Sequence, residues 1–364
     1  MFSIMEQVYH LMEDEESKAI FKNRVLYNIT EEKRYIDNIV SFYARRIQKR
    51  LKSAGCKMEA KTLRSRIGGR KLVVYGIGHC GFVLMHFIHT LMEDVEIVAF
   101  CDCKAASVTE FFGHKVISVS ELLRDYNDTY VIVTPMAQKV KKEILSSLVE
   151  GGFSRGQIME NIPFDLWALR GQYFDEEVIS LWGGETFIDA GCLDCVTTFD
   201  FIKNCPDYKE IIAFEPDSVS YNDCLRIREA QKIRDFKIYN MGLWNEKAEL
   251  SFLATESRAS SRVTDNGRDK ICGDSLDNIL RGKDVSFIKM DIEGAELKAL
   301  HGCKDILVKH RPKLAICVYH KKEDIVEIPL YLHDVVPEYK FYMRHYSVRA
   351  YETVLYAVAD SRMS

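Results

Sequence analysis

The stretch Thr186–Asp217, TFIDAGCLDCVTTFDFIKNCPDYKEIIAFEPD, constrains this chain most. It is patterned as strand, tight loop, helix and strand. The first strand, TFIDA, ends on an acid and a small residue, and the loop holds Gly191, Cys192 and Cys195. The second strand, EIIAFE, ends on Glu215, 24 positions after Gly191. A loop that lets backbone approach a ligand, followed by an acid at the tip of the next strand, is the pattern of a nucleotide-binding α/β unit.

A similar pattern occurs earlier. KLVVYG is a buried strand, and GIGHCG (Gly76, Gly78, Gly81) fits G-x-G-x-x-G and opens onto the helical run FVLMHFIHTLM. The next strand, EIVAFCD, ends on Asp102, 21 residues after Gly81. Gly76, Gly78, Gly81 and Asp102 are therefore a second candidate nucleotide or nucleotide-sugar site. No Tyr-x-x-x-Lys pair follows to complete an oxidoreductase. The expected fold is α/β, with two doubly wound Rossmann-like domains after an N-terminal helical segment. The boundaries are 1–66 for the helical segment, 70–160 for the first domain, 161–183 for a helical linker and 184–364 for the second domain. The linker is rich in aromatics (Phe164, Trp167, Tyr173, Phe174, Trp182) and is expected to cover the second domain's pocket.

In Glu31–Lys52, apolar residues from Tyr35 to Ile47 recur at helical spacing, with Thr30 placed to cap. Such a helix packs on the next domain, on a second copy in a homo-oligomer, or on a membrane surface. At 364 residues and a formal charge of −4, the chain shows no electrostatic footprint for nucleic acid. No apolar run reaches the roughly 20 residues that span a bilayer. MFSIMEQVYHLMEDEE lacks the basic and apolar regions of a signal peptide. Eleven cysteines, an odd number, suit reduced thiols in a cytoplasm. The close pairs Cys101/Cys103 and Cys192/Cys195 lack a second zinc-like pair or nearby histidines, so no metal is expected.

Further along come FIDAG, AFEPD, ASSRV, SLDNIL and, most specifically, FIKMDIEGAELKALHG. RPKLAICVYHK, YKFYMRHYS and ETVLYAV complete the set. These segments, over roughly 184–359, resemble the FkbM type of class I methyltransferase that depends on S-adenosylmethionine (SAM). The resemblance implies a seven-stranded sheet ending in an antiparallel hairpin, with SAM over its first two strands. Asp189 and Gly191 would flank the methionine part, with Cys192 and Asp194 beside them. Glu215 would receive the ribose hydroxyls. Asp217 and the Met241–Gly242 turn would lie near adenine, and Ser260 and Ser261 would fold over the ligand. The implied acceptor is a hydroxyl of a sugar, glycan or related molecule.

The residues supply reasons and leave choices open. A carboxylate such as Glu215 can accept from two vicinal hydroxyls; it could instead cap the helix that starts near Ser218. Asp189 would face the cationic side of SAM. Methyl transfer needs alignment and, for an alcohol, removal of a proton. His320, Asp291, Glu293 and His345 are the candidate catalytic groups, with His320 at a strand end a suitable base. It could also be a helix cap. Asp291 and Glu293, expected on one face of a strand, could hold Mg²⁺, hydrogen-bond acceptor hydroxyls or cap the helix beginning at Gly294. Cys195 stands where the family usually carries glycine, which imposes strain if φ is positive. Two rival readings are an NAD(P)-linked sugar-modifying enzyme using GIGHCG and a non-catalytic nucleotide sensor.

Overall fold

The protein's structure, a computed structural model, is described for residues 2–53, 56–256 and 258–359. The chain divides into two compact units, 40–170 and 1–39 with 171–364. The helical stretch 1–66 is therefore shared between them, and the division falls within helix Arg34–Ser53. Thr30 does not cap that helix. It closes the preceding one, Glu15–Thr30, donating its hydroxyl to the Leu26 carbonyl at 2.9 Å, and Glu31 turns left-handed after it. The apolar stripe of Arg34–Ser53 is buried, at Ile36, Ile39, Val40, Tyr43 and Ile47.

Unit 40–170 is built on a six-stranded sheet. Its order is Glu110–Phe111, His114–Ile117, Ile97–Cys101, Leu72–Tyr75, Tyr130–Val133, Ile158–Met159. All pairs are parallel except the first. LVVY and YVIV are buried at every position, as strands covered on both faces must be. A Cβ at Gly81 would meet the Gly76 carbonyl oxygen at 2.2 Å, so the helix can approach the turn only with glycine there. Asp102 is committed locally. It accepts from the Ile77 amide at 3.1 Å and the Lys104 amide at 2.9 Å, so its carboxylate secures the glycine turn.

The other unit contains the seven-stranded sheet. Its strands are β1 (Thr186–Ala190), β2 (Glu210–Phe214), β3 (Phe236–Tyr239), β4 (Phe287–Met290), β5 (Lys313–Cys317), β6 (Lys340–His345) and β7 (Thr353–Val358). The order is 3-2-1-4-5-7-6. Strands β1 to β5 are parallel, and β7 pairs antiparallel with both β5 and β6. The order reverses between β1 and β4, where a crevice opens at the carboxyl ends. The polar stretch after β3 is more structured than its composition implies. Strands Gly242–Leu243, Ala248–Leu253, Arg262–Val263 and Asp269–Asp274 form a small second sheet.

Only Leu166–Arg170 of the linker is helical. Beyond it Phe174 packs edge-on against Phe187 and Phe287. Tyr346 donates to Asp175 at 2.9 Å, and the Tyr173 amide donates to the Tyr356 hydroxyl at 3.2 Å. These bonds fasten the linker to the terminal hairpin and fix Tyr173 above the sheet. The side chain of Trp167 and the end of the second domain beyond 359 lie outside the described residues. At the amino ends of β1 and β5, buried Glu185 pairs with Lys313, whose ammonium lies 3.4 Å from the Trp182 ring centre. Among the described residues no helix is long and apolar enough to cross a membrane.

Candidate active site

A cleft of about 670 Å³, open to solvent, lies over the carboxyl ends of β1, β2 and β4. Gly191, Leu193, Glu215, Met241, Gly242, Ser261, Asp291 and Glu293 all border it. Phe252, Leu243 and Val263 give it an apolar wall, and Arg258 and Arg262 reach it from the second sheet. Gly191 has φ +76°, and a Cβ there would sit 2.0 Å from the Asp291 carbonyl oxygen. The turn after β1 can therefore touch the end of β4 only as glycine.

Glu215 is 6% exposed. Its carboxylate accepts from the Leu193 amide at 3.0 Å and the Asp217 amide at 2.9 Å. Burial pushes its carboxyl up to about 7 against the pull of those two amides. Two amides orient the group and leave further lone pairs toward the cleft. The capping role belongs to Asp217, which accepts from the Ser220 amide at 2.8 Å.

Asp189 does not face the cleft. It is fully buried, accepting from Lys289 at 3.0 Å and from Thr198 at 2.8 Å. Lys289 also donates to the carbonyls of Ala190 at 3.0 Å and Gly191 at 2.7 Å. Burial alone would lower its pKa, but the carboxylates of Asp189 and Asp291 more than offset that and hold it charged. Lys289 thus ties β4 to the loop after β1, a role that reading KMD as a strand end with acids did not reveal.

The acids after β4 meet the residues after β5. Glu293 follows the strand in a left-handed turn, φ 55°, rather than on its face. The turn brings Asp291 and Glu293 together, each 3.4 Å from His320 Nε2. Glu296, fully buried, meets His320 Nδ1 at 2.9 Å and accepts from the Ile292 amide at 2.9 Å. Tyr173 donates to Asp291 at 2.7 Å and Tyr319 at 3.3 Å. Burial would push the His320 imidazole down, but Glu293, Glu296 and Asp291 raise it to about 11. A histidine protonated at neutral pH has no lone pair for a substrate proton, which disfavours His320 as the base in the unliganded fold.

The remaining expected residues lie elsewhere. His345 is fully buried and pairs with Thr353 at 2.9 Å. Cys192 is buried behind the loop. Asp194 is exposed and bonds the Val196 amide. Ser260 meets Thr255 at 3.1 Å beside the cleft, while Ser261 borders it. Lys289, Glu296, Tyr173 and Tyr319 were missed. Lys289 and Glu296 carry the visible signal of charged residues inside an otherwise apolar strand–helix run. Tyr173 lay among the linker aromatics expected to cover the pocket, but its bond to Asp291, like that of Tyr319, follows only from the fold.

The residues present fit SAM. They offer an apolar wall for a base, an oriented carboxylate for a ribose and a negatively charged floor for a sulfonium. Residues 189–341 match the family model described as the methyltransferase FkbM domain. Among solved structures, a methyltransferase FkbM from Methylobacillus flagellatus is similar at 18% identity, with 81% of this chain and 92% of that chain covered and a TM-score of 0.46. An rRNA methylase from Streptococcus thermophilus shares 14% identity over 50% of this chain and 90% of that one, TM-score 0.33. A SAM dependent methyltransferase from Aquifex aeolicus shares 16% identity over 49% and 84%, TM-score 0.31. No curated protein matches the chain. Residues 189–341 thus form a methyltransferase FkbM domain by their match to that family model.

Proposed function

We propose that the chain transfers a methyl group from SAM to a hydroxyl of a sugar, glycan or similar polyhydroxylated acceptor. One observation carries this reading: Gly191, Glu215, Asp291 and Glu293 all border one cleft. Glu215 would hold the ribose, Met241 and Gly242 would lie by the base, and Gly191 would pass close to the methionine part. Bound there, SAM would supply an electrophilic methyl group.

The protein aligns the acceptor and takes its proton. Asp291 already accepts from Tyr173 and Tyr319, which makes it an orienting group. Glu293 is the better proton acceptor. It borders the cleft, and its left-handed backbone stores strain of the kind found at functional sites. Against the upward push of burial, Lys289 and the protonated His320 hold the Asp291 carboxyl below its ordinary value. Exposed Arg262 and the hydroxyl of Ser261 border the mouth and suit a polar acceptor.

The test uses the full chain, methyl-labelled SAM and a panel of sugars, nucleotide-sugars, phenols and peptides. A methyl ether on a sugar hydroxyl is expected. Glu293→Gln should keep SAM binding, measured by calorimetry, and lose roughly 100-fold or more in kcat, within the range of general-base effects. Transfer only to nitrogen, or a Glu293→Gln variant with undiminished kcat, would refute the reading.

A further inference from the structure

Behind the cleft, the fold assembles a group of side chains that methyl transfer does not use. Cys192 and Cys195 come from the loop after β1, and Cys224 from helix Ser218–Gln231. All three are buried, and their sulfurs lie within 4.8 Å of one another. Cys192 and Cys224 are 3.7 Å apart. We propose that Cys192, Cys195 and Cys224 form a three-thiolate site for a soft metal ion, Zn²⁺ or Cu⁺.

The spacing fits such an ion. Thiolates about 2.3 Å from a tetrahedral metal stand about 3.8 Å apart, so the sulfurs need shift by less than about 1 Å. A disulfide requires contact at about 2.05 Å and would strand the third thiol. The Cys-x-x-Cys turn is closed by the Cys195 amide donating to the Cys192 carbonyl at 2.8 Å, which points both side chains into one small volume. Thiolates select soft ions over Mg²⁺ or Ca²⁺.

The backbone adds a second argument. Leu193 and Cys195 both have left-handed φ, 46° and 61°. Each such residue carries a backbone cost, and glycine at 195 would remove it. A cysteine in that strained place points to work for its sulfur. Cys195 also precedes the nine-residue helix Val196–Asn204, whose amino end favours negative charge. Loading releases the thiol protons to solvent as metal–sulfur bonds form, and no electron is exchanged.

The placement gives the site a consequence. Leu193 lies between Cys192 and Cys195 in the same loop, and its amide holds Glu215. An ion here would stiffen the loop that orients Glu215. The binding itself stands apart from the methyltransferase reading, and its test needs no SAM.

The experiment takes the reduced, chelator-stripped full chain and titrates it with Zn²⁺, with Cu⁺ under a competing chelator, and with Cd²⁺ as an ultraviolet reporter of thiolate-to-metal charge transfer. One ion per chain is expected, with X-ray absorption of the loaded wild type giving three sulfur neighbours. Cys192→Ser, Cys195→Ser and Cys224→Ser should each weaken binding by more than the 10–100-fold that loss of an outer-shell partner costs. Cys272→Ser, at an exposed cysteine, should change nothing. The relative affinities for Zn²⁺ and Cu⁺ identify the ion. Three results would overturn the proposal: no stoichiometric ion, binding that survives Cys224→Ser, or metal-free protein lighter by two hydrogens with a peptide linking Cys192 to a partner in the trio. The sulfur count on wild type decides the matter even if a serine variant fails to fold.

Discussion

Glu215→Gln tests the centre of the site, and its effect can be worked through in advance. The Glu215 carboxyl ionises at about 7 in the fold, against 4.5 for an ordinary glutamate. The native state therefore holds a proton between those pH values that the unfolded chain has released. Stability contributed by this group is complete below about 4.5 and is lost as pH rises through about 7, by up to about 3 kcal/mol. The unliganded fold thus bears the cost of a buried charge at neutral pH. Ribose hydroxyls donating to the ionised group would offset it, so SAM affinity should rise with pH through about 7. The substituted glutamine offers one acceptor oxygen instead of two and no charge. A hydrogen bond to a charged group contributes about 1.5–3 kcal/mol, so the variant should bind SAM roughly 10–150-fold more weakly at pH 8. Calorimetry from pH 5.5 to 8.5 measures both effects. Because SAM carries its own titrating ammonium, the readout is the difference between wild type and variant. Equal pH slopes, or affinities within roughly threefold at pH 8, would show that Glu215 does not hold the ligand.

Lys289→Met removes one partner of a buried pair and should lower unfolding free energy by roughly 3–5 kcal/mol in urea melts; adding Asp189→Leu should restore part of that loss. Gly191→Ala should abolish SAM binding in calorimetry, since its Cβ would stand 2.0 Å from the Asp291 carbonyl oxygen at φ +76°. Because His320 stays protonated up to about 11, the pH profile of kcat at saturating SAM, where the Glu215 effect on binding drops out, should show no ionisation near 6.5. His320→Gln should lower kcat without deleting such a limb, whereas a limb at 6.5 that vanishes in the variant would restore His320 as the base.

The sheet and the place of Glu215 at the cleft were legible because both follow from local pattern. Apolar strands of five residues, a glycine at a turn and an acid at the next strand's tip leave few topologies. The acceptor side was less legible. Asp291 and Glu293 do converge, but through a left-handed turn that alternation along a strand cannot foresee. Asp189 looked like a ligand contact because sequence gives its position but not its partner. Lys289 lies 100 residues away and reaches Asp189 only because β1 and β4 pair in register, Lys289 beside Asp189. The same holds for Cys224, 29 positions beyond Cys195, which completes a cluster that neither close cysteine pair announced. Thr30 is a different kind of miss. A threonine ahead of an apolar-periodic run can start a helix or end one, and here its hydroxyl turned back to Leu26.

The two ends of the sheet explain why the carboxyl end can receive a cation. At the amino end, Lys313 pairs with Glu185 under the Trp182 ring, a closed arrangement. At the carboxyl end, Asp189, Asp291, Glu293 and Glu296 gather around Lys289 and His320. Four acids against two cations leave an anionic excess, even before Glu215 is counted. Of the two cleft arginines, Arg258 is drawn off by Asp223 at 2.6 Å, and Arg262 sits at the exposed rim. One unit charge 4 Å from another is worth about 4 kcal/mol at the dielectric of a protein surface, so this excess disfavours anionic ligands and favours a sulfonium with its ammonium. It also sets a direction for release. On the proposed reaction, transfer would convert the sulfonium into a neutral thioether, and a proton passed to Glu293 would cancel one of the acids. The product complex thereby loses attraction on both sides at once, so the charge pattern that draws the donor in does not hold the spent donor equally tightly.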